Sequence, residues 1–311
     1  DLSGNGACGF LSHYLAQADQ NARVLIIERG DSFFNTSDIT HQINWTKSYA
    51  EGNIFKLHNA LTPDDKPIIS GWACTMGGGG SINYTMIHES STWLTDHLGG
   101  DESYWNQLKA ELNAKFQRPN PDLNETPVTQ HILQAGEAEG FQAPNPHHRI
   151  ENIPSYCDEQ VKQLYQFPTQ FNFFGQRTNS GVSLINWEDP RLELKTRCLV
   201  ESLKFEPIDP PQPDGPKANC VAINVRYLES DETDCFSLAD GGKVILCAGA
   251  ATPRLLMPHR QILDNWKIGE QVSDHILLPL GIYLLNKNLQ VSPKDVYGPV
   301  FATTVWQPQD G

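Results

Sequence analysis

The sequence lacks any apolar run approaching the roughly 20 consecutive residues of a membrane-spanning helix. It is poor in positive charge: 23 Lys plus Arg stand against 37 Asp plus Glu, a formal net charge of -14, with no conspicuous basic run. That balance argues against nucleic acid as a partner. Seven cysteines form no Cys-x-x-Cys and stand at no metal-ligand spacing to histidine, so no zinc site is expected. His131, His147, His148 and His259 invite a metal reading, but Pro146 and Pro258, beside His147 and His259, suggest loops and turns, a poor setting for a metal. No signal peptide or basic leader opens the chain; because it reads as starting inside a domain, localisation stays open.

What remains is a globular composition. A chain of 311 residues, 39% hydrophobic, can hold two domains with a sizeable core. Cys8 and Cys247 read as small buried hydrophobes. Cys220 and Cys235 flank an expected hairpin and would pair in an oxidising compartment. Four sequons, at Asn35, Asn44, Asn83 and Asn124, exceed chance too little to establish secretion.

The most informative stretch is Gly4-Asn5-Gly6-Ala7-Cys8-Gly9, a G-x-G-x-x-G run that opens a helix. Gly4 suits the tight turn, Gly6 the close approach of backbone to a pyrophosphate, and Gly9 the packing of helix on sheet. The helix N-terminus would face the phosphates with its N–H groups. Cys8, Leu11, Leu15 and Ala18 share one face of that helix. Nineteen positions after Gly9, Glu28 closes the expected strand Val24–Ile27, where a carboxylate can take ribose hydroxyls. Only three residues precede the glycines, so the strand that should open this unit is expected before residue 1.

After Gly30 a long irregular segment is expected as far as Ile68-Ile69, a length that suits wrapping a ligand. Met76-Gly77-Gly78-Gly79-Gly80-Ser81-Ile82-Asn83 follows. Its apolar flanks argue against a flexible linker and for backbone lying flat against something, with Asn83 offering donor and acceptor. Tyr104, Leu108, Leu112 and Phe116, with Trp105, mark an amphipathic helix over 103–116 whose aromatics should be core. A second helix runs from Val128 to Gly140, stopped by the glycine. Phe167, Phe171, Phe173 and Phe174 read as domain core before as substrate pocket.

Two short strands, 192–196 and 200–205, lead to a surface loop with five prolines in residues 207–216. Val221–Leu228 and the segment ending at Phe236 continue as an antiparallel meander. Lys243 to Cys247 is continuously apolar after its first residue, the pattern of a parallel strand buried on both faces. Gly249 should mark a close approach of backbone, with Thr252 as N-cap and Pro253 in the first turn of the next helix.

These blocks, in this order, resemble the glucose-methanol-choline (GMC) oxidoreductases. Gly77, Gly78 and Asn83 match a G-G-x-x-x-x-N block that lies along the flavin. Gly175 to Ser180 is similar to a G-x-R-x-S segment, with Asn179 before the serine. Ala248-Gly249-Ala250 through Leu256 resembles an A-G-A-x-x-(S/T)-P-x-L-L string, with one residue fewer between Ala250 and Thr252, and Ile268 to His275 resembles V-G-E-x-x-x-D-H. One departure stands out: Pro258 to Ile262 replaces the usual Ser-Gly-Ile-Gly.

The resemblance implies FAD as cofactor and an α/β fold. It comprises a discontinuous Rossmann-like FAD-binding domain (1–100 and 190–275) with an inserted β-meander, and a partial α+β substrate-binding domain (101–189 and 276–311). Cofactor contacts would fall on Gly4, Gly6, Gly9, Glu28, Arg29, Gly77, Gly78, Asn83, Val200 (by its backbone, at adenine), Ala248, Gly249, Asp274 and His275. The implied reaction is hydride transfer from an alcohol carbon to flavin N5. The catalytic histidine is expected beyond residue 311, and no residue in the chain is assigned the base. Other readings stay open: a non-catalytic subunit of a larger assembly, or a lyase or photodecarboxylase on the same fold. A small-molecule alcohol is the implied substrate, and a second chain or larger assembly would complete the fold.

Overall fold

The computed structural model describes residues 12, 15, 19–32, 55–61, 67–82, 99, 101–116, 127–141, 164–167, 177–210, 215–270 and 300–303. Gly4, Gly6, Gly9, Asn83, Asp274 and His275 lie outside these residues, as do Phe171 to Phe174 and the four sequons. Ser12 and Leu15 are helical, in line with a helix after the first glycines.

Strand β1 (Val24–Ile27) pairs in parallel with β5 (Leu192–Lys195), Val24 beside Leu192 and Ile27 beside Lys195. The ladder is continued by Val24 N–H to the Arg191 carbonyl and Glu28 N–H to the Lys195 carbonyl, each 2.9 Å. Parallel neighbours so far apart in sequence require a crossover, as an α/β arrangement does. Ile26 is buried, and β-branched residues at three of the four β1 positions suit a pleated, packed surface.

Among the described residues the β-meander has the most extensive strand pairing. β6 (Cys198–Pro207), β7 (Ala218–Tyr227) and β8 (Thr233–Ser237) form an antiparallel sheet in the order β6-β7-β8. Cys198, Leu203, Ala222 and Val225 are buried, with less buried residues on either side of each. In its β7–β8 turn Asp231 adopts φ +61, a conformation that Asp tolerates better than most residues. Cys220 and Cys235 are not bonded to each other. Register sets Cys235 opposite Asn224, four positions from Cys220, or roughly 13 Å along the strand, beyond the reach of a disulfide.

The expected irregular segment before Ile68 is in part a hairpin: β2 (Phe55–Leu61) pairs antiparallel with β3 (Pro67–Ala73), Phe55 opposite Ala73. Further along, β4 (Leu164–Phe167) pairs antiparallel with β9 (Val300–Thr303). Helices α1 (Glu102–Phe116) and α2 (Pro127–Ala138) form where the apolar spacing predicts them. Asp101 caps α1 through Ser103 N–H at 2.8 Å, and Gly140 at φ +83 turns the chain out of α2. Tyr104 is not core, however. It is 58% exposed and meets Trp105 edge-on, because α1 turns its first residues to solvent.

The apolar stretch after Lys243 also departs from expectation. Residues 243–248 form no strand, and Ile245 is 48% exposed. An apolar sequence supplies the tendency to be buried, but a strand needs a neighbour to bond, and no described strand pairs here. Thr252 is the first residue of α4 (Thr252–Leu256), following a 3-10 turn over Gly249–Ala251, so it is not the N-cap. Among the described residues no helix is long and apolar enough to cross a membrane.

Candidate functional site

Three segments meet at the end of β1. Residues 28–31 leave the strand, and Gly30 N–H turns back to donate to Glu28 Oε1 at 2.8 Å. The start of β6 lies beside them: Cys198 N–H donates to the Glu28 carbonyl (3.0 Å) and Arg197 N–H to the Gly30 carbonyl (2.9 Å). Val200 follows two residues along that strand, in register with Val225 and just before a bulge. On the other side Asp31 bridges Thr75 in parallel, and its carbonyl accepts Met76 N–H at 3.2 Å. Glu28, Arg29, Val200 and the start of the glycine run thus share one backbone framework.

Gly30 shows how tight that junction is. A Cβ there would stand 1.6 Å from the Cys74 carbonyl oxygen, so no other residue fits without moving backbone. Burial pushes the Glu28 carboxyl pKa up, while N–H groups of Gly30 and Arg29 and the Arg29 charge pull it down. Asp31 behaves in the opposite way. Arg197 grips it with two bonds, Nε to Oδ1 at 2.8 Å and Nη2 to Oδ2 at 2.7 Å, and holds its pKa below the usual range. The same guanidinium reaches Glu229 at 2.7 Å, tying the meander's β7–β8 turn to this corner.

The glycine run is a bent turn and not a linker. Gly77 and Gly78 have φ of +88 and +56, and Gly78–Ser81 forms one 3-10 turn. Met76 is buried against Ile82, Val182, Trp187 and Leu194. Behind the turn lies a buried polar segment, Arg177-Thr178-Asn179-Ser180, leading into α3 (Ser180–Ser183). Arg177 Nη1 donates to the Gly80 carbonyl at 3.2 Å. Asn179 Nδ2 donates to Ser81 Oγ at 2.8 Å.

The sequence assigns no role to Ser81, Asp31, Arg177, Asn179 or Arg197. Arg177 and Asn179 fall in the segment similar to G-x-R-x-S, and Asn179 carries a further local sign, a side chain of N-capping type ahead of Ser180-Gly181-Val182. Its bond to Ser81 spans 98 residues, and no sequence period encodes such a contact.

Ala248 and Gly249 stand apart from this framework on an exposed stretch. Gly249 has φ +57, but no described atom lies within 4 Å of where its Cβ would be. The expected close approach is therefore not made among the described residues; the turn into the 3-10 segment alone explains the glycine. Beyond it α4 packs on β6, His259 meets the Phe205 ring at a tilt of 58° with centroids 4.8 Å apart, and Arg260 donates to the Ile268 carbonyl. That bond closes the loop in which the sequence departs from the GMC pattern.

The fold, with a parallel β1–β5 pair that has an acidic residue at its end, a glycine turn beside it and a meander after it, is similar to that of solved oxidases. Solved structures with this fold include pyridoxine 4-oxidase from Mesorbium loti, with a TM-score of 0.60 and 17% identity over 82% of this chain and 50% of that one. A formate oxidase variant from Aspergillus oryzae superposes with a TM-score of 0.57 and 19% identity, over 82% and 46% of the two chains. An FAD-dependent oxidoreductase from Chaetomium thermophilum gives 0.56 and 15%, with the same coverage. The chain spans about half the length of these proteins. No family model matches the sequence, and no curated protein matches it.

Proposed function

We propose that this chain forms the FAD-binding part of a GMC-type oxidoreductase that oxidises an alcohol. The observation that carries the reading is the meeting of Glu28–Asp31, Met76–Ser81 and Arg197–Val200 at one corner of a fold shared with FAD-dependent enzymes. The groups present suit such a cofactor. Glu28 offers a carboxylate in a shielded position for ribose hydroxyls, and its raised pKa marks the desolvation that a hydroxyl donor would offset. Gly77 and Gly78, both at positive φ, shape a turn of side-chain-free backbone along which the flavin ring system would lie. Val200 would offer backbone atoms to adenine, and Gly4, Gly6 and Gly9 the pyrophosphate turn. Arg29, Asn83, Ala248, Gly249, Asp274 and His275 complete the proposed contact set.

FAD, when bound, supplies the acceptor for a hydride from the alcohol carbon. The chain's own part is binding and orientation: Glu28 fixes the adenosine end, and the glycine turn fixes the ring end. We place the general base in the half of the fold that this chain does not span. Domain limits of 1–100 with 190–275 for FAD, and 101–189 with 276–311 for substrate, belong to the same proposal.

The test is made on the full-length protein. Purified protein should show flavin absorption at about 450 nm, bleached anaerobically by an alcohol substrate. Absence of flavin would overturn the reading. Bound flavin that no alcohol in a broad panel reduces would favour a lyase or photodecarboxylase on the same fold.

A further inference from the structure

Asn179 is wholly buried, and both ends of its carboxamide are committed. Oδ1 accepts Val182 N–H at 3.0 Å and caps α3. Nδ2 donates to Ser81 Oγ at 2.8 Å, and Ser81 Oγ donates in turn to the Met76 carbonyl at 2.8 Å. A serine hydroxyl has one proton. With that proton on Met76, Ser81 can only accept from its other neighbour. Position 179 must therefore accept from Val182 and donate to Ser81 together, which Asn does and an ionised Asp cannot. The contact also bears on Gly77: a Cβ there would stand 2.5 Å from Asn179 Cγ and Nδ2 and from Ser81 Oγ.

We infer that Asn179 is a positioning residue for the cofactor, acting through Ser81 to hold the Met76–Ser81 turn in the shape that receives the flavin. This rests on the functional reading above and adds to it a residue from the segment before α3. The carboxamide sets the direction of every hydrogen bond in the chain Asn179 to Ser81 to Met76. Reversing one end leaves two acceptors competing for one proton, or the Met76 carbonyl without its donor. The turn can then relax at the point where glycine makes the backbone most free to move.

The experiment compares full-length holoprotein with Asn179→Asp, Ser81→Ala and the double variant. The readouts are FAD dissociation, from the return of free-flavin fluorescence on dilution, and the visible flavin spectrum. Asn179→Asp keeps the α3 cap yet should weaken FAD binding about tenfold, as loss of a buried hydrogen bond implies, and shift the flavin band. Ser81→Ala should do the same, and the double variant should be no worse than the weaker single one. Should Asn179→Asp not fold, Ser81→Ala alone must show the loss and the spectral shift. Unchanged affinity and spectrum in a folded variant, or additive losses in the double variant, would overturn the inference. If the wild-type protein itself binds no FAD, the functional reading fails first and this inference with it.

Discussion

Two glycine-bearing segments resemble flavin-facing blocks, and the structure treats them in opposite ways. At Gly77 the turn is buried and backed by Asn179, Ser81 and Arg177. At Gly249 the backbone is exposed, no described atom stands near the glycine, and the apolar residues before it form no strand. Both glycines adopt positive φ, so conformation alone does not separate them. The difference lies in support: the first carries its own hydrogen-bonded backing, whereas the second has no strand beside it among the described residues.

Substituting the two glycines should expose that contrast, and the largest effect is expected at Gly77. Gly77→Ala combines a left-handed φ of +88 with a Cβ 2.5 Å from two buried side chains. Strain and overpacking together should cost about 3 kcal/mol or more in urea unfolding. A loss below about 1 kcal/mol would show that Asn179 and Ser81 yield easily, and the contrast would collapse.

Next in size is a pH effect that contrasts two acids at the end of β1, Glu28 shielded and Asp31 partly exposed. Glu28 has a folded-state pKa raised above 4.5 by burial, so the folded state holds its proton longer than the unfolded chain does. Stability should therefore fall as pH rises from 4.5 through the raised value. Asp31, lowered below 3.8 by Arg197, has the opposite sign. Its contribution is present above 3.8 and is lost as pH falls through the lower folded value. Glu28→Gln should flatten the first slope, stabilise the flavin-free protein at neutral pH and weaken FAD binding. Denaturation midpoints across this range, with and without FAD, check it; an unchanged slope in Glu28→Gln would remove burial of that carboxylate as the cause.

How much of this was legible in the sequence follows the same division between local and distant support. β1, β5, the meander, α1 and α2 could be read because their period and their turn residues lie within each segment. The β2–β3 hairpin carried a weaker sign, Phe55, Leu57 and Leu61 at even spacing before the turn-forming Pro63-Asp64-Asp65. Of the candidate site, Glu28, Gly77 and Gly78 were accessible through motif spacing, and Val200 only through the family resemblance. Their backing was not: Arg197 reaches Asp31 across 166 residues, and Asn179 reaches Ser81 across 98. Such pairings arise from chain topology, and a linear pattern does not contain them. The stretch after Lys243 fails in the other direction, since its apolar run encodes a readiness for burial that requires a partner.

A smaller effect is expected at Gly249. Gly249→Ala meets no described atom and should cost only the left-handed backbone penalty at φ +57, about 1 kcal/mol. A loss as large as that of Gly77→Ala in the same urea titration would mean that this glycine too is closely covered.

The smallest effect sharpens the comparison most. Ile245 is 48% exposed and outside any strand, so Ile245→Ala should change stability by no more than about 0.5 kcal/mol, the range of ordinary surface substitutions. The sequence predicts otherwise: an isoleucine in a strand covered on both faces should cost about 2–5 kcal/mol when cut to alanine. Those ranges do not overlap, so one urea titration of the full-length protein decides between them. A loss in the upper range would show that Lys243–Cys247 acquires a bonded neighbour in the full-length protein, and Gly249 would then become as supported as Gly77. A loss in the lower range would leave Glu28–Asp31, the Gly77 turn and the start of β6 as the only ordered backing for the cofactor among the described residues.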